Sequence, residues 1–101
     1  MEDFAYLEGI YVIMIIQIAK LTDQEIKEKD VQSWPIWSCE ISEFDWEYGE
    51  QESCYLLEGE VEVSSAHETV RFTAGDFVVF PKNLKCRWKV KKPVRKHYRF
   101  S

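Results

Sequence analysis

The chain has 101 residues, of which 46% are hydrophobic, 15% aromatic and 31% charged. This length suits one domain, since two domains would each be too small to bury an adequate core, and the apolar content excludes a disordered chain. The formal net charge of −5 argues against a nucleic-acid-binding protein. Three cysteines without a CxxC pair favour a reducing, cytoplasmic location over a disulfide-linked secreted one.

The first predicted element is the apolar segment GIYVIMIIQIA at residues 9–19. It is too short for a membrane span, which needs about 20 apolar residues, and its acidic N-terminal flank is unlike a secretory signal. We therefore expect no membrane association. The many β-branched residues predict one buried or paired strand. An edge this apolar over residues 11–18 invites pairing with another strand, so we expect a homodimer.

One short helix is predicted next, because Thr22 and Glu25 have the spacing of a capping box at the start of residues 23–29. After Trp34 the pattern changes to the alternation of strands, with a phase shift over Ser42 and Glu43 that indicates a bulge or bend. Further short strands are predicted at residues 53–58, 60–65, 68–73, 77–80, 84–91 and 94–100. Short strands with almost no helix predict a small all-β barrel or sandwich.

Charged residues are segregated along the chain. Residues 40–62 carry nine acids and no base, whereas residues 82–99 carry nine bases and no acid. The basic segment is either an anion or nucleic-acid patch, or one side of a sheet on which acidic and basic strands face each other. The equal counts and the acidic overall balance favour the second interpretation, without a nucleic-acid partner.

The spacing of glycine, glutamate and proline resembles the two motifs of the cupin superfamily, Gly-x5-His-x-His-x(3–4)-Glu-x6-Gly and Gly-x5-Pro-x-Gly-x2-His-x3-Asn. Glu52 and Gly59 have the Glu-x6-Gly spacing of the first motif, and Gly75 and Pro81 have the Gly-x5-Pro spacing of the second. The two fragments occur in the order that the family has, on predicted strands.

The amino-acid sequence around these fragments is similar to that of the small single-domain cupins grouped with (S)-ureidoglycine aminohydrolase. The segments that carry this likeness are Trp34-Pro-Ile-Trp37, Cys54-Tyr-Leu-Leu-Glu-Gly-Glu-Val61, Phe80-Pro-Lys82, Cys86-Arg-Trp88 and Lys96-His-Tyr98. The resemblance implies an all-β fold: a single-domain antiparallel cupin barrel of the jelly-roll type, with one short N-terminal helix. It implies a cupin domain at residues 14–101 and an N-terminal extension at residues 1–13.

The metal-binding histidines of the cupin motifs are missing. The His-x-His pair would fall on Asp45 and Glu47, or on Trp46 and Tyr48, depending on the spacer, and the histidine of the second motif is Cys86. Only the glutamate remains. We therefore expect no metal and no other cofactor, although a cysteine and a carboxylate are both ligands that zinc accepts.

The candidate site follows from the resemblance and from strand parity. Glu52 and Cys86 are the candidate catalytic residues, as a carboxylate and a thiol on positions that ligate metal in cupins. The candidate ligand-binding residues are Trp46, Tyr48, Cys54, Trp88 and His97. His97 would complete a Glu–Cys–His cluster, although parity places it among the charged residues of its strand. The aromatic residues either stack on a planar ligand, as Trp34 and Trp37 also could, or simply pack in the core.

Three functions remain open from the sequence. The first is a barrel that binds a small polar or aromatic molecule and has lost the usual metal site. The second is an enzyme of the ureidoglycine aminohydrolase-like type that uses Glu52 and Cys86, with or without an unusual metal. The third is a barrel that interacts with a partner protein. Function depends on the site and not on the fold, so the geometry around Glu52 and Cys86 must distinguish them.

Overall fold

The computed structural model describes residues 4–7 and 10–101, with side chains described from residue 14 onward. The described part is mostly antiparallel β-structure, which confirms the all-β prediction. Its strands are β1 (Phe4–Leu7), β2 (Ile10–Ile13), β3 (Gln17–Lys20), β4 (Ile36–Cys39), β5 (Ser42–Glu47), β6 (Glu52–Ser65), β7 (Thr69–Thr73), β8 (Asp76–Phe80) and β9 (Lys85–Phe100). The helical elements are α1 (Asp23–Glu28) and a 3-10 turn (Val31–Ser33).

Two long strands, β6 and β9, organise the barrel by pairing with each other along most of their length. The first part of β6 pairs with β8, which in turn pairs with the edge strand β3, while the later part of β6 pairs with β7. On the other side, β9 pairs first with β5 and then with β4. All these pairings are antiparallel, and they join seven strands into the sheet of a jelly-roll-like barrel in which β6 and β9 are neighbours.

The prediction of separate strands at residues 53–58 and 60–65 is wrong, because both belong to the continuous strand β6, which has a bend. The separate strands predicted at residues 84–91 and 94–100 are likewise one strand, β9. The register between β6 and β9 shifts between Leu56 and Val61, yet the ladder continues on both sides. Gly59 lies in this bulge at φ 109°, and Pro93, which has no N–H to donate, lies opposite it. A bulge interrupts the alternation without ending the strand, which is why the pattern looks like two strands.

The prediction of one strand over residues 9–19 is wrong, because the chain divides into β2 and β3. β2 pairs with β1, and β3 pairs with β8, so both pairings are within the chain. Between them the backbone N–H of Ile16 donates to the Glu68 carboxylate at 2.9 Å. This N–H is therefore not available for a backbone hydrogen bond to a neighbouring strand. Gly9 of this segment, and residues 1–3, 8 and 9 of the predicted extension, lie outside the described residues.

The capping box predicted at Thr22 is confirmed. The Thr22 hydroxyl accepts from the Glu25 backbone N–H at 3.1 Å, and the Glu25 carboxylate accepts from the Thr22 backbone N–H at 3.0 Å. Helix α1 ends one residue earlier than predicted, and the unpredicted 3-10 turn that follows buries Val31. Among the residues from 14 onward, no helix is long and apolar enough to cross a membrane.

The acidic and basic segments face each other, as the second interpretation of their charge predicted. Arg87 on β9 binds Asp45 and Glu43 on β5 at 2.9 and 3.2 Å. Glu62 on β6 pairs with Arg71 on β7 at 2.9 Å, and further pairs join β6 to β9. Exposed pairs of this kind contribute about 0–1 kcal/mol each. They therefore favour the pairing of these particular strands but add little to the stability of the protein.

The core of the barrel is rich in aromatic side chains. Tyr48 and Phe80 stack with their ring centroids 4.8 Å apart, and Phe72 meets Trp88 edge-on at 5.7 Å. The Trp88 indole N–H donates to the Tyr48 hydroxyl oxygen at 3.2 Å, so the buried indole nitrogen has a hydrogen-bond acceptor within the core. Valines and leucines of β6, β8 and β9 complete this core, and its Tyr48 and Trp88 also line the pocket described next.

Candidate functional site

An aromatic pocket of about 240 Å³ opens into the barrel. Its walls come from β4 and β5, from Tyr48 just after β5, and from β9, while Glu52, the first residue of β6, supplies a carboxylate. The lining residues are Trp37, Phe44, Trp46, Tyr48, Glu52, Trp88, Lys96, Tyr98 and Phe100. Seven of these nine are aromatic, so the pocket is an apolar cavity that contains one pair of charged groups.

The charged pair consists of Glu52 and Lys96, whose side chains are only 6% and 5% exposed. The Lys96 ammonium donates to Oε2 of Glu52 at 2.5 Å. Strand parity explains why both point inward: Glu52 lies on the face of β6 that holds Cys54, and Lys96 on the face of β9 that holds Val94. Every lysine of the chain lies in the described part, and Lys96 is the only one that is buried.

Two indole rings flank the Lys96 ammonium. Its Nζ lies 5.1 Å from the centroid of Trp37 and 4.8 Å from that of Trp88. An ammonium over the face of tryptophan is attracted by the ring quadrupole, and the attraction is larger when water is excluded. The ammonium is therefore held by a carboxylate and two aromatic faces, which together compensate for its removal from water.

Tyr48 adds an uncharged donor to the pocket. Burial, with the charge of Glu52 as the second cause, holds the pKa of Tyr48 well above its usual range, so the phenol stays protonated. Its oxygen accepts from Trp88, and no residue of the described part accepts the hydroxyl hydrogen. In the same part of the chain, Glu52 Oε1 receives no hydrogen bond. The Tyr48 hydroxyl can therefore still donate a hydrogen bond to a ligand, and Glu52 Oε1 can still accept one.

The structure brings together four of the seven predicted site residues. Glu52, Trp46, Tyr48 and Trp88 line the pocket, whereas Cys86, Cys54 and His97 do not.

Cys86 pairs in register with Trp46 and lines a separate surface groove. Cys54 is completely buried in the core. His97, as parity predicted, faces away from the pocket, and its Nδ1–H donates to the Trp34 carbonyl at 2.8 Å. The proposed Glu–Cys–His cluster therefore does not form, because successive residues of β9 point to opposite faces.

The two buried thiols are poor nucleophiles in this arrangement. Burial, and then the negative charges of Glu52 and Asp45, raise the pKa of Cys86 to about 11. Burial raises the pKa of Cys54 to about 12. The thiolate is the reactive form of cysteine, so both side chains are protonated and unreactive near neutral pH.

Iodoacetamide labelling tests this prediction directly. We expect half-buried Cys39 to be alkylated first, and Cys86 to react at least about 100-fold more slowly than a free model thiol, because its thiolate fraction is much smaller. Mass spectrometry of peptides after a brief pulse at neutral pH gives the three rates separately. The urea-unfolded chain is the control, in which all three should react alike. A Cys86 rate equal to that of the free thiol would contradict its burial.

Lys96 is the main pocket residue absent from the predicted site, together with Phe44, Tyr98 and Phe100, whereas Trp37, which the sequence offered as a stacking residue, does line the pocket. Its signal was present in the sequence, because Lys96 shares the phase of Val94 and Tyr98 on β9. A charged residue on the apolar phase of a strand is unusual and marks a buried group that needs a partner. Trp34, which the sequence offered as a stacking residue, instead packs against Phe77 outside the pocket.

The residues of the pocket do not fit the metal of the cupin motifs. Of the two possible His-x-His positions, Trp46 and Tyr48 line the pocket, whereas Asp45 is 82% exposed and pairs with Arg87. The Glu52 carboxylate is already neutralised by the Lys96 ammonium. From residue 14 onward, no three His, Cys, Asp or Glu side chains are grouped as metal ligands. This donor set is unsuited to a divalent cation.

Comparisons with known proteins agree on the fold. The family model of the EutQ-like cupin domain matches residues 26–98. The crystal structure of a DUF861 family protein from Thermotoga maritima is 50% identical, with a TM-score of 0.85 over 86% of this chain and 100% of that chain. No curated protein matches the chain.

Two more distant structures share the fold alone. A putative ethanolamine utilization protein Q from Salmonella typhimurium is 22% identical, with a TM-score of 0.59 over 94% of this chain and 89% of that one. The EutQ protein of Clostridium difficile is 19% identical, with a TM-score of 0.60 over 84% of this chain and 66% of that one. At these identities the likeness concerns the barrel and not the pocket.

Proposed function

The chain belongs to the EutQ-like cupin domain family, and we propose that its barrel binds a small polar, aromatic or otherwise planar molecule in the aromatic pocket. The observation that carries the proposal is the buried Glu52–Lys96 pair within aromatic walls. A buried ion pair adds little stability compared with well-packed apolar residues. Its presence at a pocket therefore favours a role in binding.

The dimensions and walls of the pocket limit what it can hold. Its volume of about 240 Å³ lies below the roughly 300–1,000 Å³ of typical ligand sites, which favours a molecule smaller than a nucleotide. Flat aromatic walls favour a planar ligand that stacks on them. At the rim, Trp46 and Phe100 are 49% and 44% exposed, and a ligand would cover part of this apolar surface.

The enzymatic alternative, a ureidoglycine aminohydrolase-like reaction at Glu52 and Cys86, has less support. Cys86 is not a lining residue, and its raised pKa keeps it protonated. Among the residues from 14 onward, no group of side chains supplies the donors that a metal would need. Faster labelling of Cys86 than of a model thiol would favour this alternative over simple binding.

Nuclear magnetic resonance of the indole N–H groups tests the proposal with a built-in control. Three of the four tryptophans, Trp37, Trp46 and Trp88, line the pocket, whereas Trp34 does not. We expect millimolar phenol, benzamide, benzoate or benzamidinium to shift the three pocket signals and to leave that of Trp34 in place. If no probe shifts the pocket signals, or if Trp34 moves equally, the proposed site is wrong.

Two variants test whether the probe binds in this pocket. Trp46→Ala removes one aromatic wall at the half-exposed rim and should weaken binding several-fold with little effect on folding. Ile41→Ala changes an exposed apolar residue outside the pocket and should leave binding unchanged. Equal affinities for the two variants would place the probe elsewhere on the protein.

A further inference from the structure

We infer that the pocket selects an uncharged planar molecule bearing an amide or lactam group, in preference to anions and cations of the same shape. This inference rests on the proposed function and narrows it to a chemical class. It follows from the net charge of the pocket and from the hydrogen-bonding capacity that its polar groups retain.

The described residues that line the pocket have no net charge. Among them only Glu52 and Lys96 are ionised, and they neutralise each other at 2.5 Å, while Tyr48 stays protonated because its pKa is raised by burial. An anion that approached Lys96 would also meet the adjacent carboxylate, and a cation that approached Glu52 would meet the ammonium. Either ion would lose its water without gaining a net opposite charge. A neutral molecule avoids this desolvation cost.

The retained hydrogen-bonding groups form an adjacent donor and acceptor. Lys96 uses one of its three N–H groups on Glu52 Oε2, and within the described residues its other two N–H groups have no oxygen acceptor. Glu52 Oε1, on the neighbouring group, receives no hydrogen bond from the same residues. An amide presents the complement of this pair, because its carbonyl accepts from Lys96 while its N–H donates to Glu52.

Tyr48 and the indoles add to the same selection. The Tyr48 hydroxyl can donate to a carbonyl oxygen but cannot accept a further strong bond while Trp88 donates to it. The Trp37 and Trp88 rings flank the Lys96 ammonium, so a flat group hydrogen-bonded to Lys96 lies among aromatic surfaces. A conjugated amide is planar and suits such walls better than a tetrahedral alcohol or a phosphate.

Three probes of nearly identical shape test the inference: benzamide, benzoate and benzamidinium, which are neutral, anionic and cationic. We expect the wild-type protein to bind benzamide at least about tenfold more tightly than either ion, as measured by titration of the Trp37 and Trp88 indole signals. Tighter or equal binding of an ion would overturn the inference while leaving the proposed binding site intact. Failure of all three to shift the pocket signals would overturn both.

Variants of the ion pair should change the preference in opposite directions. Glu52→Gln leaves the Lys96 charge unopposed, so benzoate should gain relative to benzamide. Lys96→Met leaves the Glu52 charge unopposed, so benzamidinium should gain instead. If Lys96→Met does not fold, the wild-type ranking and Glu52→Gln still decide the question. Unchanged preference in a folded variant would contradict the inference, because the ranking would then not depend on the pair.

Discussion

Replacing Lys96 by methionine is expected to lower the free energy of unfolding by about 3–5 kcal/mol, because it leaves the Glu52 carboxylate buried without a partner. Methionine has a length and apolar stem similar to those of lysine, so packing against Trp37 and Trp88 is largely kept and the loss reports the charge. Both side chains of the pair are almost fully buried, so the unpaired carboxylate would be poorly hydrated.

Urea unfolding followed by tryptophan fluorescence measures this loss. Lys92→Met is the matched control on the same strand, because Lys92 is 72% exposed and lies 3.9 Å from Glu60; it should change stability by no more than about 0.5 kcal/mol. The double variant Glu52→Leu with Lys96→Met should regain most of the loss, since apolar residues can replace a buried pair. A Lys96→Met variant as stable as wild type would mean that the pair is solvated.

Gly59→Ala is expected to destabilise the barrel by about 2–4 kcal/mol. A Cβ on Gly59 would lie 2.7 Å from the carbonyl oxygen of Pro93 and 2.8 Å from Cα of Val94, which are backbone atoms of β9 that cannot move without distorting the strand. Gly59 also has φ 109°, a conformation that residues with a Cβ rarely adopt. The irregularity in the pairing of β6 with β9 lies at this position.

Thermal unfolding measures the effect, and for a domain of this size each 1 kcal/mol corresponds to about 4–8 °C in Tm. Gly49→Ala is the control, because a Cβ there meets nothing within 4 Å, and its Tm should change little. Gly75→Ala separates the two causes: its φ is 92° but its nearest contact is the mobile end of Lys20 at 3.9 Å, so it should lose less than Gly59→Ala. Equal losses at Gly59 and Gly75 would attribute the effect to φ alone.

Local patterns in the sequence predicted the elements that depend on neighbouring residues. The capping box at Thr22 defines the start of α1 through hydrogen bonds three residues apart, and such short-range contacts can be read from spacing. The alternation on β9 correctly separated Cys86 and Trp88 from Arg87 and Lys89, because side chains alternate between faces with period two. The cupin spacing around Glu52 and Gly75 indicated the barrel, which the family match confirms.

The site was predicted only in part, because a pocket joins residues from distant strands. The sequence identified Glu52, Trp46, Tyr48 and Trp88, yet paired Glu52 with Cys86, which holds the position of a ligand in the cupin motif. The tertiary structure instead places Lys96 against Glu52, although 44 residues separate them in the chain. Lys96 shares the phase of Val94 and Tyr98, but this parity does not say which residue it meets, since that depends on the register between β6 and β9.

The sequence by itself therefore determined the fold class, the facing of side chains along β9 and the loss of the metal-binding histidines, all of which follow from local spacing. Only the tertiary structure decided that β6 and β9 are continuous through their bend, that residues 9–19 divide into two strands, and that an ammonium neutralises the remaining cupin glutamate. The physical reason is the same in each case. Cross-strand register, bulges and buried ion pairs are set by contacts between residues far apart in the chain, and no local pattern records which distant group will supply the partner.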